Sequence, residues 1–397
     1  MKIKKLSVKY HPTGIEIQQV EFDETLSLLV GISGVGKTRI LNAIQDLIFI
    51  ANGKSINGME WDAEFELNNK NYYWKGAFEY KEENPFEKIA FLAFRDKEKS
   101  QKESINILYE KLYIDNHAIV ERDTKNLVFK TEKLPAKLSL NESSLSLLEE
   151  PEILSFLQEL RRIKIVHDSN YSRTIHIETS KNIGLLENEN TNIKDIRNIE
   201  DCSIFFKLFL LQEKCKDIYD EFCLDYRSIF PYVEDIKIDR FILSTKDNAS
   251  QFVISIKETG VDEWIPQNLI STGMLKTLCH LAYTYLSSEG TIFLIDEFEN
   301  GFGINCINSI SEKILYSGEN YQYIITSHHP YIINKIPLRK WKIINRDKKV
   351  IKSFEALRYI DSSKHDAFIK LINSDLYTKG ISIIYNNDDI TEDDLYS

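Results

Sequence analysis

The stretch “LLVGISGVGKTRILNAI”, from Leu28 to Ile44, restricts the fold more than any other part of the chain. An apolar strand enters a glycine-rich turn, and an amphipathic helix leaves it. Gly31, four residues, then Gly36-Lys37-Thr38 satisfy the pattern G-x-x-x-x-G-K-[ST]. Gly31, Gly34 and Gly36 let the backbone curl so that successive N–H groups point at phosphate oxygens. The helix beginning near Lys37 aims its positive end at the same anion. Lys37 has the reach for β- and γ-phosphates, and the Thr38 hydroxyl suits Mg²⁺. Ser33, Val35 and Arg39 complete the loop and the first helical turn as candidate nucleotide-contacting positions. A strand, loop and helix of this kind imply a parallel α/β core.

The flanking sequence agrees. “KIKKLSVKY”, “IEIQQVEF” and “TLSLLV” alternate as strands, with a turn near Pro12–Gly14. Ile40, Leu41, Ile44, Leu47 and Ile48 share a face of a helix expected from about Thr38 to Ile50, closed by Asn52–Gly53. Residues 60 to 132 read as a β meander, including a hairpin around Asn68–Asn71. Apolar residues at threes and fours make roughly 141 to 228 helical, in short helices without sustained heptads, so a long coiled-coil arm is not expected. Strands return from 236 (“KIDRFIL”, “QFVISIKE”). After them come a helix near 273–287, the buried strand “TIFLI”, a helix over 304–316 and the strand “YQYIITS”. The expected organisation is 1–140, a helical insertion over 141–235, and 236–397.

Composition narrows the class. The chain has 397 residues, is 43% hydrophobic and carries a net charge of −11, which disfavours indiscriminate nucleic-acid binding. No run approaches the ~18 apolar residues of a membrane span, and “MKIKKLSVKY” lacks the apolar core of a secretory signal. Cys202, Cys215, Cys223, Cys279 and Cys306 show no C-x-x-C spacing and read as reduced thiols of a cytoplasmic protein. One strip is locally basic: “KIPLRKWKIINRDKKVIK”, Lys335 to Lys352. It reads as a solvated β-hairpin, with a phosphate-backbone or partner-binding strip as the alternative. The acidic end “NNDDITEDDLYS” reads as a solvated terminus.

A second set of chemistry lies far downstream. “TIFLIDEFENG” ends a hydrophobic strand in Asp296 and Glu297, suited respectively to holding Mg²⁺ and to polarising an attacking water. “ISTGMLKTL” puts Ser271, Thr272 and Gly273 at a helix start, an ordinary N-cap or an anion site. “IITSHHPYII” ends the following strand with His328 and His329, and His328 is positioned to sense a γ-phosphate.

In this order the motifs resemble the ATPase head of the ABC superfamily, in its soluble SMC-like and overcoming-lysogenization-defect (OLD) branch. “GISGVGKT” matches Walker A, “ISTGMLKTL” the signature helix, “IFLIDEFENG” Walker B, and “TSHHP” the switch-histidine loop. His329 replaces the usual Ser, Thr272 a Gly, and Met274 the usual Gln. No Q-loop glutamine is identified, since Gln45 lies in the helix after the phosphate loop. The middle segments “LSLNESSLSLL” and “SIFPYVEDIKID” resemble, more loosely, ATPases encoded beside anti-phage effectors, such as those of the PARIS and Septu systems.

The resemblance implies a Mg²⁺-dependent ATPase whose heads pair across ATP, Ser271 and Gly273 contacting the partner's γ-phosphate while Glu297 and His328 act in catalysis. It implies a homodimer or larger homo-oligomer and, because OLD proteins carry a TOPRIM nuclease that the short region after His328 does not accommodate, a separately encoded effector nuclease. The alternative is a RecF-like DNA-handling ATPase that binds duplex DNA through Lys335–Lys352 and “RRIK” (Arg161 to Lys164). The energising subunit of a membrane transporter fits the signature and insertions less well.

Overall fold

A computed structural model describes residues 1–82, 105–134, 139–166, 177–178, 184, 186, 188, 190–200, 202–244, 249–316, 320–360, 364–374 and 377. The chain divides into two compact units, Met1–Arg161 with Thr326–Ser397, and Arg162–Ile325. The fold is mixed α/β.

The first unit is built on a mixed sheet. Its strands are β1 (Lys2–Tyr10), β2 (Ile15–Glu21), β3 (Leu26–Val30), β4 (Met59–Leu67), β5 (Lys70–Phe78), β6 (Ile107–Ile114), β7 (His117–Asp123), β8 (Leu127–Phe129) and β9 (Glu132–Leu134). Near the carboxyl end, strands Trp341–Asp347 and Val350–Glu355 insert as a hairpin, the first parallel to β3 and the second parallel to β2. All of β3 is buried, as a strand flanked on both faces must be. From β4 to β9 the sheet is an antiparallel meander. In β4 alternate residues are buried, and Asn68 and Asn69, at φ 51° and 60°, make the tight turn into β5. Helix α1 (Lys37–Ala51) buries Ile40, Leu41, Ala43, Ile44, Leu47 and Ile50, while Ile48 is only half-buried. Its end is closed at Gly53, φ 84°, where the Lys54 amide reaches back to the Phe49 carbonyl at 3.0 Å. After the short α2 (Ser144–Leu147) comes α3 (Pro151–Arg161), which drops Phe156 onto the meander. That ring stacks on Tyr72 at 4.9 Å and meets Phe65 edge-on at 5.1 Å.

The basic strip is not the solvated hairpin its composition suggests. Lys335 ends a short helix (Pro330–Lys335), Leu338–Lys340 form a 3₁₀ turn, and only Trp341 onward is strand. Trp341 to Asn345 are all buried, because the strand lies between two neighbours. Lys342 survives there by pairing with Glu355 at 3.0 Å, and Lys340 reaches Asp23 and, at 2.8 Å, Thr25.

The second unit holds three parallel strands and a helical layer. The parallel strands are β10 (Lys164–Val166), β15 (Ile292–Ile295) and β16 (Gln322–Thr326); between β10 and β15 in the chain, β11 (Ile177–Glu178), β12 (Val233–Ser244), β13 (Ala249–Glu258) and β14 (Ile265–Pro266) form a separate antiparallel sheet. The strand β10 is invisible to periodicity, and it takes Lys164 of “RRIK” into the sheet opposite Phe293. The helices are α4 (Ile193–Asn198), α5 (Ile204–Lys214), α6 (Lys216–Ile229), α7 (Thr272–Leu286) and α8 (Ile304–Tyr316). Helix α5 is apolar nearly all round and is buried accordingly. In the first unit α9 is the Pro330–Lys335 helix, α10 is Lys364–Asn373, and β17 and β18 are the two hairpin strands. Cys223, Cys279 and Cys306 are buried, Cys202 and Cys215 half-buried, and none of the five forms a disulfide. Burial pushes the Cys223 thiol up to about 11, so it is protonated and unreactive at neutral pH.

Candidate functional site

The glycine loop is shaped by the β17–β18 hairpin beneath it. Gly31 sits at φ 156°, and a Cβ there would lie 2.5 Å from the Ile344 carbonyl oxygen. Gly36 sits at φ 109°, and a Cβ there would collide with Ile351 Cδ1. Between them Gly34, φ 87°, has open space where a side chain would project. The two outer glycines are therefore required by close packing of the loop on its floor, and the central one by its backbone torsion. Val35 is buried and anchors the loop, whereas Ser33, Gly34, Thr38 and Arg39 are exposed.

Lys37 is nearly buried, and its ammonium donates to the carbonyls of Gly31, at 2.7 Å, and Ile32, at 3.1 Å. No side chain caps α1, and its first turn holds no acidic residue. Helix amides and a lysine thus converge on one exposed turn, a constellation suited to an anion. One residue here escaped the sequence reading. Arg346, at the end of β17, is oriented by its Nε bond to the Lys348 carbonyl at 2.9 Å and reaches the Gly34 carbonyl at 3.5 Å. Nothing local in “IINRDKK” signals this, because the approach depends on pairing β17 with β3.

The loop after β16, with Ser327, His328 and His329, belongs to the same unit. Ser327 is fully buried, and its amide approaches the Leu29 carbonyl of β3 at 3.4 Å, so this loop runs beside the strand that feeds the glycine turn. His328 is exposed. His329 has a structural role: its Nδ1 accepts from the Tyr331 amide at 3.3 Å and caps α9, with Pro330 at the first helical position. A ring nitrogen does here what a serine hydroxyl does at many helix starts.

The second unit brings Ser271 and Gly273 together with the turn after Asp296 and Glu297. Ser271 is exposed and caps α7, its Oγ accepting from the Met274 amide at 3.3 Å. Gly273 packs so tightly on the turn after β15 that a Cβ would lie 3.1 Å from the Gly301 carbonyl. Asp296 is half-buried at the end of β15, and Glu297 is exposed at φ 43°, a conformation glutamate adopts at a cost. The Glu297 carbonyl accepts from the Asn300 amide at 2.8 Å, turning the chain sharply away from the strand. Met274 is held by the helical layer: Tyr226 donates to its carbonyl at 3.1 Å, and the Tyr232 hydroxyl lies 3.4 Å from its sulfur.

A cleft of about 810 Å³ lies elsewhere, on the meander face between Lys4, Lys5, Asp62, Glu64, Tyr73 and Tyr113. Its charges satisfy one another, Lys4 with Glu66 at 2.6 Å and Lys5 with Glu64 at 3.9 Å, so it reads as a solvated sheet face. Among the described residues no helix is long and apolar enough to cross a membrane, and no cluster of three or more His, Cys, Asp or Glu could hold a metal ion.

A family model described as “AAA domain, putative AbiEii toxin, Type IV TA system” matches residues 26–334, spanning both groups of residues. The chain belongs to the AAA_21 family. No curated protein matches it. Among solved structures, the AAA_21 chain is similar to an Smc head bound to the C-terminal winged-helix domain of ScpA. The TM-score is 0.52 at 12% identity, over 89% of this chain and 97% of that one. The Smc head from Thermotoga maritima aligns at 12% identity with TM-score 0.42, over 91% and 100%. The likeness to the ScpA-bound Smc head shows the fold, that of an ABC-type P-loop ATPase head.

Proposed function

We propose that this AAA_21 chain binds and hydrolyses ATP with Mg²⁺ and pairs with a second copy across the nucleotide. The carrying observation is the uncapped start of α1 behind a loop whose Gly31 and Gly36 leave no room for side chains, with the Lys37 ammonium bonded to the loop carbonyls of Gly31 and Ile32. In this reading Gly31, Ser33, Gly34, Val35, Gly36, Lys37, Thr38 and Arg39 hold the phosphates, and Thr38 and Asp296 hold Mg²⁺. When bound, Mg²⁺ neutralises charge on the β- and γ-phosphates. Thr38 and Asp296 would be a sufficient protein contribution, since Mg²⁺ is commonly held by one or two side chains together with substrate phosphates.

Glu297 holds the attacking water and takes up its proton, and His328 contacts the γ-phosphate. Ser271 and Gly273 address the triphosphate held by the partner copy. The exposure of Ser271 and of Glu297 supports roles completed by a second chain. Bound ATP favours the paired state and hydrolysis releases it, through the different contacts made to ATP and ADP.

The output is that of a sensor or scaffold in anti-phage defence, acting through a separate effector nuclease. Membership of a family associated with the AbiEii toxin and a Type IV TA system, and the resemblance to defence ATPases, support it. The RecF-like reading draws less support, since Lys340 and Lys342 of the basic strip are already paired with Asp23 and Glu355, and Arg161 with Asn52. Size-exclusion chromatography of Glu297→Gln with ATP and Mg²⁺ tests the pairing. A dimer that forms with ATP and not with ADP is expected; a monomer under both conditions would sink it.

A further inference from the structure

One face of α7 is fastened along its length to the turn that follows Asp296 and Glu297. Lys276 is 2% exposed; its ammonium donates to the Asn300 carbonyl and lies 4.8 Å from the centre of the Phe302 ring. One helical step earlier, Gly273 abuts the Gly301 carbonyl. One turn later, the His280 ring lies 5.1 Å from Phe302 and 5.9 Å from Phe298. Positions 273, 276 and 280 share a helix face. An apolar side chain would fill the volume of Lys276 without the cost of burying a charge. What the ammonium adds is a directional hold on one backbone carbonyl.

That carbonyl belongs to a residue with two tasks. Asn300 accepts from Lys276 through its oxygen and donates to the Glu297 carbonyl through its nitrogen, at 2.8 Å. A continuous path therefore runs from Ser271, which caps α7, through the helix to Lys276, across to Asn300, and on to the backbone of Glu297.

We propose that Lys276 is a positioning residue that couples the two nucleotide sites of a dimer. The inference rests on the ATP-bridged pairing proposed above. In that arrangement Ser271 and Gly273 meet the triphosphate held by the partner copy, whereas Glu297 serves the one held by its own. Lys276 is the link within one chain between those two sites. Occupation of one site is thereby felt at the carboxylate of the other.

The test compares the full-length chain with Lys276→Met and Lys276→Arg, measuring hydrolysis against ATP concentration and binding of a fluorescent ATP analogue. For the unaltered chain a sigmoidal response is expected, with a Hill coefficient approaching ~2, the ceiling for two coupled sites. At chain concentrations high enough to saturate pairing, so that dimer formation adds no ATP dependence of its own, Lys276→Met should turn over hyperbolically, with a Hill coefficient of about 1, while binding the analogue as tightly as before. Lys276→Arg, which keeps a donor, should regain the sigmoidal response. A merely structural lysine would change melting temperature without changing the Hill coefficient. Sigmoidal turnover in a folded Lys276→Met chain would overturn the coupling. If that variant does not fold, Phe302→Leu removes the ring beneath the ammonium and should lower the Hill coefficient; an unchanged value overturns the proposal. An unaltered chain that hydrolyses ATP hyperbolically refutes the coupling alone, whereas one that binds no nucleotide refutes the ATP reading beneath it.

Discussion

The Lys37 ammonium donates to the carbonyl of Gly31, at 2.7 Å, so the glycine loop is closed by its own lysine. A carbonyl is a weaker partner for an ammonium than a phosphate oxyanion, which makes this bond exchangeable. Lys37→Ala is expected to remove nucleotide binding. ATP with Mg²⁺ at a hundred times its dissociation constant should stabilise the unaltered chain by about 2.7 kcal/mol. Calorimetry should find no such gain in the variant, and an undiminished gain would remove Lys37 from the site.

The three loop glycines should differ in sensitivity. Gly31→Ala meets the backbone carbonyl of Ile344, which cannot rotate away, and should cost about 3 kcal/mol or more. Gly36→Ala meets the end of Ile351, which can partly shift, and combines that with a φ of 109°; a cost of about 2 kcal/mol is expected. Gly34→Ala meets nothing and should lose about 1 kcal/mol from its backbone torsion alone. Urea denaturation gives the order.

Glu297 sits at φ 43°, so its side chain and its backbone can be tested separately. Glu297→Gln should slow hydrolysis by roughly 10²–10⁴-fold and leave ATP binding intact. Glu297→Gly should be equally inactive yet more stable than Glu297→Ala by about 1 kcal/mol, because glycine relieves the torsion. Equal stability of the Gly and Ala variants would show that no strain is held there.

Glu110 is 1% exposed in the first unit and gathers three donors: Trp74 Nε1 at 3.0 Å, Ser143 Oγ at 2.5 Å and the Ser144 amide at 2.6 Å. It ties β6 of the meander to the start of α2. Glu110→Ala strands all three donors and should cost about 3–5 kcal/mol in chemical denaturation. A loss within experimental error of zero would mean that water replaces the carboxylate without penalty.

Burial, and then the nearby Lys276 charge, hold the His280 imidazole well below its usual range. The folded chain therefore keeps it neutral at pH values where the unfolded chain protonates it. Stability is unaffected by this group above about pH 6.5 and falls below it, by up to about 1.4 kcal/mol per pH unit until the folded group also titrates. Replacing His280 with Phe should flatten the fall between pH 6.5 and 5, relative to the unaltered chain, in denaturation midpoints.

Much of the scaffold could be read locally. The Asn68–Asn69 turn, the amphipathic face of α1 and the buried strand β15 each rest on short-range periodicity or torsional preference, and each lies where the pattern puts it. The basic strip misled because composition does not report pairing. Its lysines mark a solvated surface until β17 is laid against β3, where Glu355 neutralises Lys342. The three-residue strand β10 is too short for any period to register.

The glycine turn, its lysine and the acid pair after a hydrophobic strand were settled by sequence alone. They depend on backbone freedom and residue chemistry within a few positions, which a linear pattern records. The tertiary structure alone decided that Ile344 and Ile351 form the floor of that turn, that Arg346 reaches it, that His329 is a cap, and that Lys276 grips Asn300. Each of these is a contact created by folding rather than a pattern. Contacts between positions distant along the chain arise from how elements pack, and packing leaves no periodic trace in the order of residues.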